Sequence, residues 1–177
     1  MDSANWAQLF CTAAQDPSRD CGPQQPPPPP IAHPKQGGQC LVVNASTGFP
    51  CAGGWSDSCP VILGSCSDPT SNWAWAGIAG DERTLSNTSP GYAGSVLNID
   101  CNSCAAGTLV KVSNNQGYAS AVAFSGGQLQ AQACPGMCLS GLSSAPRTRP
   151  CKAGEPFSGA QVILVPCSSS DANGWSV

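Results

Sequence analysis

Cysteine thiols are the most abundant reactive groups in this chain, with 12 in 177 residues. A thiol can ligate metal, run redox chemistry or close a disulfide, and its spacing and setting separate these roles. Cys101-Asn102-Ser103-Cys104 is a CxxC. Its readings are a local disulfide, two separate partners, or a metal or redox site. A structural zinc needs four ligands, and neither a second CxxC nor a His pair accompanies this one. A redox motif would need a βαβ setting, which the chain lacks. The one histidine, His33, sits in Ala32-His33-Pro34, so a His-dependent triad has no base in the rest of the chain. The carboxylates Asp57, Asp68, Asp81, Glu82, Asp100, Glu155 and Asp171 show no paired spacing. We therefore expect no metal, no cofactor and no catalysis.

The elements that carry these residues recur three times. Cys40-Leu41-Val42-Val43 leads to Val61-Ile62-Leu63-Gly64-Ser65-Cys66 and then Ser71-Asn72-Trp73. Val96-Leu97-Asn98-Ile99 leads to Val110-Lys111-Val112-Ser113-Asn114-Asn115 and then Gln116-Gly117-Tyr118. Cys138-Leu139-Ser140-Gly141 leads to Val162-Ile163-Leu164-Val165-Pro166-Cys167 and then Asn173-Gly174-Trp175. A period of roughly 40–55 residues marks supersecondary units that cannot bury their apolar face alone. Short aliphatic runs between clusters of Gly, Pro, Asn and Ser predict an all-β fold.

The repeats also organise the cysteines. The second has Val96 where the others have Cys40 and Cys138, and Asn115 where they have Cys66 and Cys167. Joint loss is the mark of a bonded pair, so Cys40–Cys66 and Cys138–Cys167 are expected. Cys51–Cys59 is expected to staple an insertion in the first repeat, Cys134–Cys151 to pair and bracket the entry of the third, and Cys11–Cys21 to staple the end of an N-terminal helix. That helix is expected over 3–14, because Trp6, Leu9, Phe10 and Ala13 fall at helical spacing behind Ser3. Residues 1–23 form this helical segment, 24–36 a Pro-rich polyproline II linker, and 37–177 the repeat domain. Its units span about 37–80, 81–125 and 126–177.

Composition bounds the partners. A net charge of −3 with only 10 % charged residues argues against nucleic acid. No apolar run is long enough for a membrane span. Dense cysteine points to an extracellular or secretory setting. The start, Met1-Asp2-Ser3-Ala4-Asn5-Trp6, lacks the basic and apolar regions of a signal peptide, so we expect a piece of a larger secreted protein. Asn44-Ala45-Ser46 and Asn87-Thr88-Ser89 match the N-glycosylation sequon and suggest a glycoprotein.

The third repeat, from Val162 to Trp175, resembles the repeat of ricin B-chain-like lectins. That family has a Cys-Leu-Asp-Val start, an aliphatic strand ending in Cys and a Gln-x-Trp closure. The resemblance covers about Gly37 to Val177 and implies a β-trefoil. It makes Trp73, Tyr118 and Trp175 closing aromatics in a shared core, each beneath a turn tied by a Gln or Asn side chain. It also implies a lectin-like module that binds glycans, galactose-type or other, joined to an enzyme such as a glycoside hydrolase. Sugar binding in the family uses the Asp of the start, a stacking aromatic and an Asn or Gln near the closure. Here the Asp position holds Val42, Asn98 and Ser140, and the aromatic position holds Gly64, Ser113 and Val165. The second repeat keeps the best set: Asn98, Asp100, Asn102, Asn115, Gln116 and Tyr118, with Tyr92 nearby. The third offers Asp171, Asn173 and Phe157, and the first Trp55 and Asp57. The alternative is a trefoil that has lost sugar binding and packs on a protein partner.

Overall fold

The computed structural model describes residues 31–32, 34–44, 59–77, 83–114, 121–148 and 161–177. The aliphatic runs become strands because residues such as Val and Ile pack well on a pleated surface, while the Gly-, Asn- and Ser-rich stretches between them turn the chain. The first repeat contains β2 (Lys35–Gln36), β3 (Gln39–Val43), β4 (Val61–Gly64) and β5 (Trp73–Gly77). The second contains β6 (Arg83–Asn87), β7 (Val96–Ile99), β8 (Val110–Ser113) and β9 (Val122–Ser125). The third contains β10 (Gln128–Ala131), β11 (Met137–Ser140), β12 (Ile163–Pro166) and β13 (Trp175–Ser176). A further strand, β1 (Ile31–Ala32), precedes them.

The pairing makes a closed ring. The last strand of each repeat pairs with the first strand of the next: β5 with β6, β9 with β10, and β13 back with β2. Each joint continues into the central hairpin of the following repeat. Three sheets result, ordered β1-β5-β6-β7-β8, β12-β11-β10-β9 and β13-β2-β3-β4. Single bridges such as Ile62↔Gln161, Pro60↔Lys111 and Leu109↔Ile163 stitch the central hairpins together. This is a β-trefoil. Closure of the ring hides the backbone edges inside the barrel, which an open sheet would leave exposed.

The central hairpins fix which residues correspond. Cys40↔Gly64, Val96↔Ser113 and Cys138↔Val165 are equivalent pairs. Leu41, Leu97 and Leu139 come next and are all buried against Leu63, Val112 and Leu164. These aliphatics form the shared core. Period-2 alternation sends them inward from all three repeats, so one core serves three units.

The expected domain boundary at residue 37 falls too late. Lys35–Gln36 pairs with both β3 and β13, and Ile31–Ala32 pairs with β5, so these residues belong to the sheets and not to a linker. The N-terminal helix and the proline run before Ile31 lie outside the described residues, as do Cys11 and Cys21. Cys40–Cys66 and Cys138–Cys167 form as expected, each with Cα atoms 4.9 Å apart. Closing loops of this length is worth about 3 kcal/mol each in the chain-entropy model. The CxxC does not close on itself. Cys104 bonds Cys134 instead, tying the second repeat to the third, and this also overturns a Cys134–Cys151 pair. Cys59 and Cys101 are disulfide-bonded as well. Cys51 and Cys151 lie outside the described residues.

Candidate functional site

The second repeat concentrates buried polarity. On the central hairpin Asn98 faces Lys111, where the first repeat pairs Val42 with Ile62 and the third pairs Ser140 with Ile163. Two residues on, Asp100 opens a short 3-10 turn, Asp100–Asn102. Its N–H donates to Leu109 O, which holds the turn against β8. The Asp100 carboxylate meets Lys111 Nζ at 3.0 Å, with the two side chains 1 % and 7 % exposed. Asn98 is 5 % exposed. A buried ion pair stabilises little by itself, but removing one partner strands a charge at a cost of about 3–5 kcal/mol. Asn98, Asp100 and Lys111 thus gather buried polarity on one hairpin, next in sequence to the loop that carries Cys101 and Cys104. That loop holds two consecutive non-glycine residues in the left-handed region, Cys101 (φ 53°) and Asn102 (φ 54°). Of the other second-repeat candidates, Tyr92 packs half-buried against the core. Asn115, Gln116 and Tyr118 lie outside the described residues, as do Trp55, Asp57 and Phe157.

The third-repeat candidates serve a turn. Asp171 lies in the 3-10 turn Ser170–Ala172, where its N–H donates to Ser169 Oγ. Asn173 is exposed. Its Oδ1 accepts from Gln128 Nε2 at 3.0 Å, and its Nδ2 reaches Ser169 O and Ser170 O at 3.4 Å. Both residues adjoin the closure: Trp175 is buried and its Nε1 donates to Leu139 O at 2.8 Å. The first repeat repeats this bond, Trp73 Nε1 to Leu41 O at 2.9 Å. The amphipathic indole fills the core and spends its single donor on a buried carbonyl.

The second closure departs from expectation. Trp73 pairs with Asn87, Trp175 with Gln36, and the equivalent pair is Val122↔Ala131. The flanking bonds agree, with Thr88 N to Asn72 O in one repeat and Gln132 N to Ala121 O in the next. Val122, not Tyr118, therefore occupies the closing position of the second repeat.

Sequence reasoning also missed who ties the turns. The buried Gln36, from the first strand of the next repeat around the ring, donates Nε2 to Asp171 O and Asn173 O, each at 2.8 Å. Its Oε1 accepts from Gly141 N at 2.8 Å. Asn87 does the same for the first repeat, donating Nδ2 to Thr70 O at 2.8 Å and accepting from Ser89 N at 2.9 Å. Ala131 leaves the equivalent place without an amide. No fixed spacing marks them, since Gln36 stands four residues before Cys40 and Asn87 nine before Val96, and Asn87 also sits inside a sequon that drew the wrong reading. Asn87 is fully buried with both ends of its amide engaged, and Asn44 is 9 % exposed. A glycan has no room on Asn87 in the folded chain.

Among the described residues no group of three or more His, Cys, Asp or Glu side chains is placed to hold a metal. No helix among them is long and apolar enough to cross a membrane. The disulfides among the described residues fit an extracellular protein.

No protein-family model and no curated protein matches this sequence. Solved structures do. A designed threefold-symmetric protein, ThreeFoil, is similar over 82 % of this chain and 95 % of its own, with a TM-score of 0.58 at 19 % identity. The Rhizoctonia solani agglutinin is similar over 84 % of this chain and 93 % of its own, with a TM-score of 0.55 at 17 % identity. An exo-β-1,3-galactanase from Clostridium thermocellum, 1,3Gal43A, matches 86 % of this chain, with a TM-score of 0.54 at 13 % identity, but this chain covers only 30 % of that enzyme. At these identities the likeness is one of fold, and the fold shared by strand order, ring closure and neighbours is the β-trefoil.

Proposed function

We propose that this chain is a non-catalytic, lectin-like module of the ricin B type that binds glycans through its second repeat. One observation carries the reading. Where the other repeats place Val42/Ile62 and Ser140/Ile163, the second places Asn98/Lys111, and Lys111 is paired with Asp100. A fold spends stability on such buried polarity chiefly where a site must be held in one geometry. Asn98 and Asp100 are too buried to supply most of the contact surface, so they act as the floor. In this reading the hydroxyl-binding groups are Asn114 and the candidates that follow it in sequence, Asn115, Gln116 and Tyr118. Carboxamides and an aromatic suit a pyranose, with its polar edge and apolar face. In this reading the module belongs to a larger secreted protein such as a glycoside hydrolase, and holds it near polymeric substrate.

The burial of Asn98 and Asp100 favours a second reading, in which the cluster fixes the fold and the domain serves a protein partner. A glycan array on the intact chain, on Asn98→Ala and on Asn173→Ala separates them. The lectin reading expects binding by the parent and by Asn173→Ala, with at least a tenfold loss in Asn98→Ala. A parent chain that binds no glycan sinks it.

A further inference from the structure

Between Asp100 and Glu155 the sequence holds four basic residues, Lys111, Arg147, Arg149 and Lys152, and no acidic one. In a chain of net charge −3 that is a concentration of positive charge. Lys111 is paired with Asp100. Arg149 and Lys152 lie outside the described residues. Arg147 is described, and among the described residues no carboxylate pairs with it.

Arg147 belongs to the third repeat but is seated on the second. After β11 the chain crosses to the start of β8. There Thr148 N donates to Gly107 O at 2.8 Å and Leu109 N donates to Thr148 O at 3.0 Å, so Thr148 and Thr108 pair in parallel. Asp100 N donates to the carbonyl of the same Leu109 at 3.0 Å. The arriving segment therefore continues the edge that β7 leaves at Asp100. Gly107 lets it come this close. A Cβ there would strike Pro146 O, and its φ of 85° is one that glycine adopts without strain.

Alternation along both segments fixes the face. Thr148 shares a side with Thr108, so Arg147 takes the opposite side with Leu109 and, two residues on, Lys111. Asn98 faces Lys111 on that side. One face of the second repeat thus carries Asn98, the Asp100–Lys111 pair and the Arg147 guanidinium. That guanidinium is held without being neutralised. Its Nε is buried with no acceptor, and its Nη2 donates to Ser143 O at 3.4 Å. The residue as a whole is partly exposed. A cation drawn partly out of water with an N–H unsatisfied lowers stability, and an anionic acceptor offsets that cost. The planar guanidinium matches the paired oxygens of a carboxylate or a sulfate.

We propose that Arg147 makes the second-repeat site selective for acidic glycans, those that carry a carboxylate or a sulfate ester. The inference rests on the lectin reading and names the substrate class of that site. Lys111 is not the anchor, because Asp100 already takes its charge. Arg147 supplies the charge that the oxyanion meets.

The test is an array of neutral glycans and their carboxylated and sulfated counterparts, probed with the intact chain, Arg147→Gln and Arg147→Lys. The proposal expects the parent to prefer an acidic series at least tenfold over its neutral counterpart, with the preference falling as salt rises. Arg147→Gln lowers that preference at least tenfold. Arg147→Lys keeps the charge but loses the planar fork, and lowers it at least threefold. The carboxylated and sulfated arms tell which oxyanion the site takes. Equal binding of neutral and acidic glycans by the parent overturns the inference and leaves the lectin reading standing. So does a folded Arg147→Gln that keeps the full preference. Should Arg147→Gln fail to fold, an undiminished preference in Arg147→Lys overturns it instead. A parent that binds no glycan overturns both readings.

Discussion

The first and third repeats are fastened alike, and the second is fastened differently. In the first and third, a disulfide joins the start of the central hairpin to the residue beyond its end. A tryptophan then bonds the carbonyl of the following leucine, and a carboxamide from the neighbouring repeat ties the closing turn. The second repeat has Val96, Val122 and Ala131 at the corresponding places. It holds itself by the Asp100–Lys111 pair and is tied to the third repeat by Cys104–Cys134. Three fastenings are missing together, as expected if they work as one unit. Where that unit is released, Lys111 enters a position that holds isoleucine in both other repeats, Ile62 and Ile163.

The contrast makes predictions of decreasing size. Lys111→Ala should cost about 3–5 kcal/mol in chemical unfolding, because it strands Asp100. Removing both charges together, Lys111→Ile with Asp100→Leu, should recover most of that loss. If the double variant is no better than the single one, the stranded charge is not the source of the loss. Next comes the shared fastening. Removing Cys138 and Cys167 together, as serines, should lower stability by about 3 kcal/mol. Thermal unfolding reads this directly, and an unchanged midpoint would mean that the tryptophan and amide suffice. Gln36→Ala should cost about 1–3 kcal/mol by leaving Gly141 N and two carbonyls without their partner. Ala131→Gln, which offers the second repeat an amide, should give no comparable gain, since Val122 does not rebuild the tryptophan closure. The smallest effect is on mass. Intact-mass analysis of folded protein secreted by a glycosylating host should show Asn87 unmodified, and Ser89→Ala should leave the mass change at that of the substitution alone.

Much of the fold was legible because β-strands repeat with period 2 and the three aliphatic runs carry the same inward set. The paired cysteines were legible through their joint absence. The closure of the second repeat was not, because Gln116-Gly117-Tyr118 imitates the triplet while the true position holds an unremarkable valine. Counting along the strand would have found it: Val122 follows Ser113 at the interval by which Trp73 follows Gly64. The CxxC misled for a different reason. Closeness in sequence is not closeness in space across a 3-10 turn whose Cys101 adopts a left-handed backbone. Asn87 read as a sugar acceptor because a sequon encodes nothing about burial. For the site, the register of Asn98 could be read from the sequence, but its burial and the reach of Lys111 to Asp100 are tertiary facts.

The central claim is that the repeat released from the common fastening is the one that binds glycan. Amide hydrogen exchange of the intact chain, with and without a glycan selected on the array, tests it most directly. The account predicts slowed exchange confined to residues 96–114 and the segment that follows. Protection centred on residues 163–176 instead, or none at saturating glycan, would contradict it.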